Sequence, residues 1–230
     1  MRIRCKFTKL GYVKFVGHLD TVRMFQRAIR VARIPIAYSQ GFNPHAKVYF
    51  AMPLSVGVGS TGEYIDIITS EDVNVQKVKE DLNHILPEGI SILEVSAIED
   101  GTPSLMSLVT TADYKIVFEK GQLSEEDVNG AKEKLNGETL VVLKKGKKKT
   151  SEVDIKPLIK DINIEQNEGT VSICTKVAAG SGSNLSVDLL LKSIFEKEIE
   201  TLEYSVERLE LYAGEDHEVI PLSQVGAYNA

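Results

Sequence analysis

The 230 residues are 43% hydrophobic and 26% charged, a composition that supports a buried core and excludes a fibrous or wholly disordered chain. Cys5 and Cys174, the two cysteines, are far apart and lack any CxxC spacing, so the sequence offers no disulfide framework, no zinc ribbon and no set of thiolates for an iron–sulfur cluster. The net charge of −6 conceals a segregation: the first fifty residues carry ten Lys or Arg against one acid, Asp20, whereas the other 180 carry 17 against 32, an asymmetry that points to a polyanionic partner, nucleic acid first.

Both cysteines are expected as small buried residues. No apolar run approaches the roughly 20 residues of a membrane span, and residues 1–6 alternate charged with apolar side chains where a signal peptide needs an apolar run. A cytoplasmic protein without a membrane partner is the expectation.

Residues 2–8 alternate strictly, with Ile3, Cys5 and Phe7 against Arg2, Arg4 and Lys6, the period of a strand with one buried face. From Leu19 to about Arg33 the period becomes helical. Val22, Phe25, Ile29 and Ala32 fall on one face and Arg23, Arg27 and Arg30 on another, with Asp20 in the first turn and Pro35 as the stop. Ser39 to Pro44 is a cluster of loop formers. Strands are predicted over 47–51, 64–69 and 90–98, with a helix over 75–86 between the last two. The order βαββαβ is thus complete in 98 residues.

The pattern then repeats. After a turn-prone linker, 99–110, strands over 113–119, 139–144, 162–166, 170–177 and 202–212 and helices over 124–135 and 186–197 give a second βαββαβ set. It is interrupted by a lysine-rich insertion over 145–158. The sequence therefore predicts an α+β protein of two tandem ferredoxin-like domains, 1–98 and 111–213, followed by an irregular tail, 214–230.

In such a fold, strand parity puts Arg4 and Lys6, with Lys47, Tyr49 and Tyr64, on the sheet face opposite the helices. Cations that neutralise phosphates beside rings that stack on bases suit single-stranded nucleic acid; the competing expectation is that this face packs against the second domain. The stripe Arg23, Arg27, Arg30 has no acid four residues away to pair with, which favours an external anion over a solvated face. Lys147 and Lys148, in a run of five lysines around Gly146, offer a second phosphate contact. His18 at the helix entry and His45 after the loop Gly41-Phe42-Asn43-Pro44 are the two histidines able to serve as general acid and base in metal-independent RNA cleavage. Histidine in such places is more often a packing residue.

Gly17-His18-Leu19-Asp20, Arg27-Ala28, the string Ile34-Pro35-Ile36-Ala37-Tyr38-Ser39-Gln40-Gly41-Phe42-Asn43-Pro44-His45, then Phe50-Ala51-Met52-Pro53-Leu54, Gly62-Glu63-Tyr64-Ile65-Asp66 and the segment 147–157 closely resemble the bacterial radical SAM-linked protein family. Members of that family, a domain of unknown function, stand beside a radical SAM gene or are fused to such a protein, often near genes for ribosome and RNA processing. The sequence departs from the family's common residues at Gly17, Ala46, Gly59 and Lys156. The resemblance implies a radical SAM enzyme as partner, which would carry the cluster, so no cofactor and no metal are expected in this chain. The fold pattern and basicity are also similar to those of tandem ferredoxin-like CRISPR repeat-processing endoribonucleases.

The leading expectation is a non-catalytic RNA-binding accessory that presents RNA to a separate radical SAM enzyme. Its alternatives are an endoribonuclease using His18 and His45, and a protein-docking module that touches no RNA.

Overall fold

The computed structural model describes residues 1–145, 150–214 and 218–228 of the protein, so Lys147 and Lys148 lie outside the described residues. The chain divides into two compact units, Met1–Thr110 together with Glu207–Ala230, and Thr111–Val206. Both combine helices with antiparallel strands, which makes the protein α+β. No helix among the described residues is long and apolar enough to cross a membrane.

In the first unit β1 (Arg2–Lys9), α1 (His18–Val31), β2 (Val48–Phe50), β3 (Gly59–Ile68), α2 (Val75–Ile85) and β4 (Ile92–Ile98) succeed one another, followed by the short α3 (Leu105–Leu108). β1 lies between β3 and β4, antiparallel to both, and β2 pairs β3, giving the order β4-β1-β3-β2. The register sets Ile3 opposite Ile67 and Cys5 opposite Ile65. These residues and Phe7 are buried under Phe25, Ala28 and Ile29 of α1 and Val78 and Leu82 of α2. The Ile, Leu, Val and Phe side chains among them each contribute roughly 1.5–3 kcal/mol when fully withdrawn from water, so the period-2 and period-3.6 patterns are both spent on one core. Burial also pushes the Cys5 thiol well above the usual range, leaving it inert.

The second unit contains β5 (Thr111–Phe118), α4 (Glu125–Asn136), β6 (Val141–Lys145), β7 (Thr150–Asp154), β8 (Ile159–Asn167), β9 (Thr170–Ala178) and α5 (Val187–Ile194). β9 pairs β5 on one side and β8 on the other, all antiparallel. Val128, Ala131 and Leu135 of α4 and Leu190, Leu191 and Ile194 of α5 bury against Ile116, Phe118, Val171 and Ile173. Ser124 caps α4 in a reciprocal capping box with Asp127. The strand expected over 139–144 forms a separate two-stranded sheet with β7. Its base is pinned by Asp154, whose carboxylate accepts the N–H groups of Leu140 and Lys156. Cys174 is exposed on β9, contrary to the expectation for both cysteines.

β10 (Tyr204–Ala213) begins in the second unit, where Tyr204 packs on Phe118 and the Glu119 N–H donates to the Glu203 carbonyl. From Glu207 onward the chain belongs to the first unit and pairs parallel with β3, Glu207 opposite Gly59 and Arg208 opposite Ser60. The segment expected as an irregular tail carries β11 (Ile220–Pro221), which pairs β10, a helical turn at Leu222–Gln224, and β12 (Ala227–Tyr228), which pairs β4. Leu222 is fully buried. A sequence without periodicity can still be ordered when a sheet edge supplies its hydrogen bonds and a single apolar side chain anchors it.

Candidate nucleic-acid interface

The face of the first sheet that strand parity assigns to nucleic acid is closed by the protein itself. Arg4 is 2% exposed, and its guanidinium donates to both carboxylate oxygens of Asp66 and to the carbonyls of Leu222 and Val225. Arg2 donates to the same Asp66 and to the carbonyls of Thr102 and Pro103. Lys6 pairs with Glu210 at 2.7 Å, and the other oxygen of that carboxylate accepts the Tyr64 hydroxyl at 2.6 Å. Tyr64 is 1% exposed, and burial, reinforced by its bond to Glu210, pushes its hydroxyl well above the ordinary tyrosine range. Arg4, Lys6 and Tyr64 are therefore corrected from nucleic-acid contacts to structural groups. The physical reason is that a sheet face of arginine, lysine and tyrosine can be buried when β3, β10 and the C-terminal turn bring the acids and carbonyls to it.

Arg208, another buried cation, grips Glu63 through Nε and Nη2, both at 2.7 Å, and Ser60 Oγ donates to the same carboxylate. Lys9 is buried nearby, its ammonium held by the Val16 carbonyl at 2.6 Å.

What stays open is the helix stripe. Arg23 pairs with Asp20 at 2.8 Å, an i, i+3 partner that a search for acids four residues away passes over. Both side chains are exposed, and a pair of that kind is worth about 1 kcal/mol or less, so it yields readily to a stronger anion. Arg27, Arg30 and Arg33 are exposed and form no ion pair among the described residues. Lys47 is half-buried, and Tyr49, opposite Asp66 in the β2–β3 ladder, is 52% exposed.

The C-terminal end of α1 and the segment after it form a cleft of about 430 Å³ lined by Gln26, Arg30, Arg33, Tyr38, Pro44 and His45, with Ile34, Ile36 and Ala46 at its base. No carboxylate is among these lining residues. The wall is built by the loop that the sequence singled out. Tyr38 bridges Ala46, the Ser39 N–H donates to the His45 carbonyl, and Ser39 Oγ accepts the His45 N–H. Gly41, at φ 125°, makes a turn denied to other residues, and Phe42 beside it is fully exposed. Gly41, Phe42 and Asn43 thus form a closed tip, while Pro44 and His45 face the cleft lined by Arg30 and Arg33.

Arg33 and Tyr38 were not singled out as binding residues by the sequence. The signal for Arg33 was present, three residues beyond Arg30 in the same helical phase. His18 lies elsewhere, edge-on to Phe50 at 5.4 Å between ring centres and lining a small cavity with Lys9, Thr21 and Glu63. The two histidines line different cavities, so the acid–base pair considered for RNA cleavage is not assembled in either one. No group of His, Cys, Asp and Glu suited to a metal ion occurs among the described residues.

A family model described as "Uncharacterized protein conserved in bacteria (DUF2344)" matches residues 2–187. No curated protein matches. Among solved structures, a chain of a Cbf5-Nop10-Gar1 complex is similar at 10% identity and a TM-score of 0.49. The alignment covers 91% of this protein but only 48% of that chain. An unknown protein from Galdieria sulphuraria aligns at 12% identity and a TM-score of 0.24, over 90% of this chain and 97% of that one.

Proposed function

We propose, for a chain that belongs to this family of uncharacterized proteins conserved in bacteria, an RNA-binding accessory role in which RNA held on the first unit is presented to a separate enzyme. One observation carries the reading. The strand cations Arg2, Arg4 and Lys6 each have a carboxylate of the same unit, yet Arg27 and Arg30 of α1 and Arg33 just beyond its end have none among the described residues. In a chain with 33 acidic residues this is not for want of acids. Mutually repelling charges left open on one helix face cost stability unless an outside anion meets them. Phosphates of a nucleic acid would meet such a row of cations, while Lys47 and Tyr49, at the sheet face opposite the helices, would be a separate secondary contact.

The resemblance supplies the partner, a cytoplasmic radical SAM enzyme. The first unit's strand order β4-β1-β3-β2, with both crossover helices on one face, supports a ferredoxin-like reading of that unit. In the second, β8-β9-β5 with the start of β10 beside β5 supports the same reading.

The test is RNA binding as a function of salt. Arg27→Ala/Arg30→Ala should bind structured and single-stranded RNA at least tenfold more weakly at low salt, with the slope of log K against log salt reduced by about 1.5–2 for two lost phosphate contacts. Unchanged affinity and slope would remove the assignment. RNA cut by the wild type in EDTA, with cutting lost in His45→Ala, would replace the accessory by a nuclease. A protein-docking role has its own support in Tyr12, Phe15, Leu19 and Val56, all more than half exposed. Co-purification of the enzyme without RNA, lost on Phe15→Ser, would favour it.

A further inference from the structure

We propose that the cleft between α1 and the 38–46 loop takes a single unpaired nucleotide, with its phosphate on Arg30 and Arg33 and its base on Tyr38, so that the RNA recognised is single-stranded at this point. The inference rests on the reading of the α1 stripe as the RNA-binding face. Several observations on different groups converge on it.

The cleft measures about 430 Å³, within the roughly 300–1,000 Å³ of small-molecule sites. It is thus of a size for a nucleotide and not for a duplex, whose bases stay stacked inside. Its charge is one-sided. The C-terminal end of a helix carries about half a negative charge, but two guanidinium groups stand there, and the Ala32, Arg33 and Ile34 N–H groups already cap the carbonyls of Ala28, Arg30 and Ile29. The net field in the cleft is positive.

Arg33 occupies the first position past the helix end with φ 55°, a left-handed conformation that glycine adopts at no cost and that a residue with a Cβ avoids. Arg33 carries that strain while lining the cleft. On its far side Arg33 borders a second groove, in which Glu71 and Asp81 are balanced by Arg33 itself and by Lys77, which pairs with Asp81 at 3.2 Å. The unbalanced positive charge is therefore on the side of the cleft. Tyr38, 49% exposed at the cleft, has its backbone fixed by the bridge to Ala46 and offers its ring for stacking.

The experiment compares a fluorescent single-stranded oligoribonucleotide with a blunt RNA duplex of the same length, using the full chain. The expected result is single-strand binding at least tenfold tighter, a loss of about tenfold on the single strand in Tyr38→Ala, retention in Tyr38→Phe, and no change for the duplex in either variant. The salt slope stays at its wild-type value in Tyr38→Ala, since no phosphate contact is removed. Equal affinity for strand and duplex, or an equal loss on both in Tyr38→Ala, overturns the nucleotide cleft while the α1 phosphate face stands. Absence of binding to either RNA overturns both.

Discussion

Asp66 and Arg4 are joined by two hydrogen bonds, Nε to Oδ1 at 2.8 Å and Nη2 to Oδ2 at 3.2 Å, with each side chain 1% exposed. Asp66 also holds Arg2. Removing the carboxylate therefore strands two guanidinium groups, one of them deep in the protein. Asp66→Ala is expected to cost about 3–5 kcal/mol, as breaking a buried pair does, measured by urea unfolding. Arg4→Met is expected to cost less, because Arg2 still satisfies the carboxylate and a methionine fills much of the vacated volume. If the two variants prove equally stable, the pair is not what holds this face closed.

The sheet face explains why part of the sequence was legible and part was not. Alternation in residues 2–8 and 64–69 identifies the inner side, Ile3, Cys5, Phe7, Ile65 and Ile67, because an apolar side chain has one stable destination. The outer side carries Arg4, Lys6 and Tyr64, which suit solvent or a buried ion pair alike. Only the later part of the chain, with Glu210 and Leu222, settles between them. The string Gly62-Glu63-Tyr64-Ile65-Asp66 likewise reads as a motif without a purpose until β10 is in place. Glu63 then meets Arg208 and Tyr64 meets Glu210, while Asp66 meets Arg2 and Arg4 across the β1–β3 ladder. By contrast the α1 stripe was legible from helical phase alone, since its cations need nothing from elsewhere to be exposed.

Gly62 completes that string for a steric reason. A Cβ there would lie 2.4 Å from the Leu209 carbonyl oxygen and 2.6 Å from the Glu210 Cα, both backbone atoms of β10. Backbone cannot swing aside as a side-chain tip does. Gly62→Ala is expected to destabilise the protein by about 3 kcal/mol, at the upper end of overpacking costs, and to weaken protection of the β10 amides in hydrogen exchange. Gly182→Ala, in a loop where a Cβ meets nothing within 4 Å and the backbone is not left-handed, serves as the neutral control.

Lys9 gives a pH dependence with a defined sign. Burial lowers its pKa, and the neighbouring Arg208 charge lowers it further against a partial opposing pull from Glu63. Between the lowered folded value and the unfolded value of about 10.4, the unfolded chain binds more protons than the folded one, so this group makes stability rise with pH in that window. Lys9→Met should abolish the contribution. The wild-type stability relative to Lys9→Met is expected to increase from pH 7 to pH 10 in parallel urea titrations. A relative stability that is flat or falls over that range contradicts an ammonium penalised by burial.

The left-handed Arg33 separates stability from binding at one residue. Relief of its φ of 55° by glycine is worth about 1–2 kcal/mol, and the greater freedom of glycine in the unfolded chain takes back about 0.5–1 kcal/mol. Arg33→Gly should therefore unfold at a higher urea concentration, with a net gain of about 0.5–1 kcal/mol, and bind single-stranded RNA several-fold more weakly. Arg33→Ala keeps the strain and loses the guanidinium, so it should match the wild type in stability and Arg33→Gly in binding. A residue present only to close the helix would give the opposite pattern: glycine neutral or better in every assay, with binding untouched in both variants.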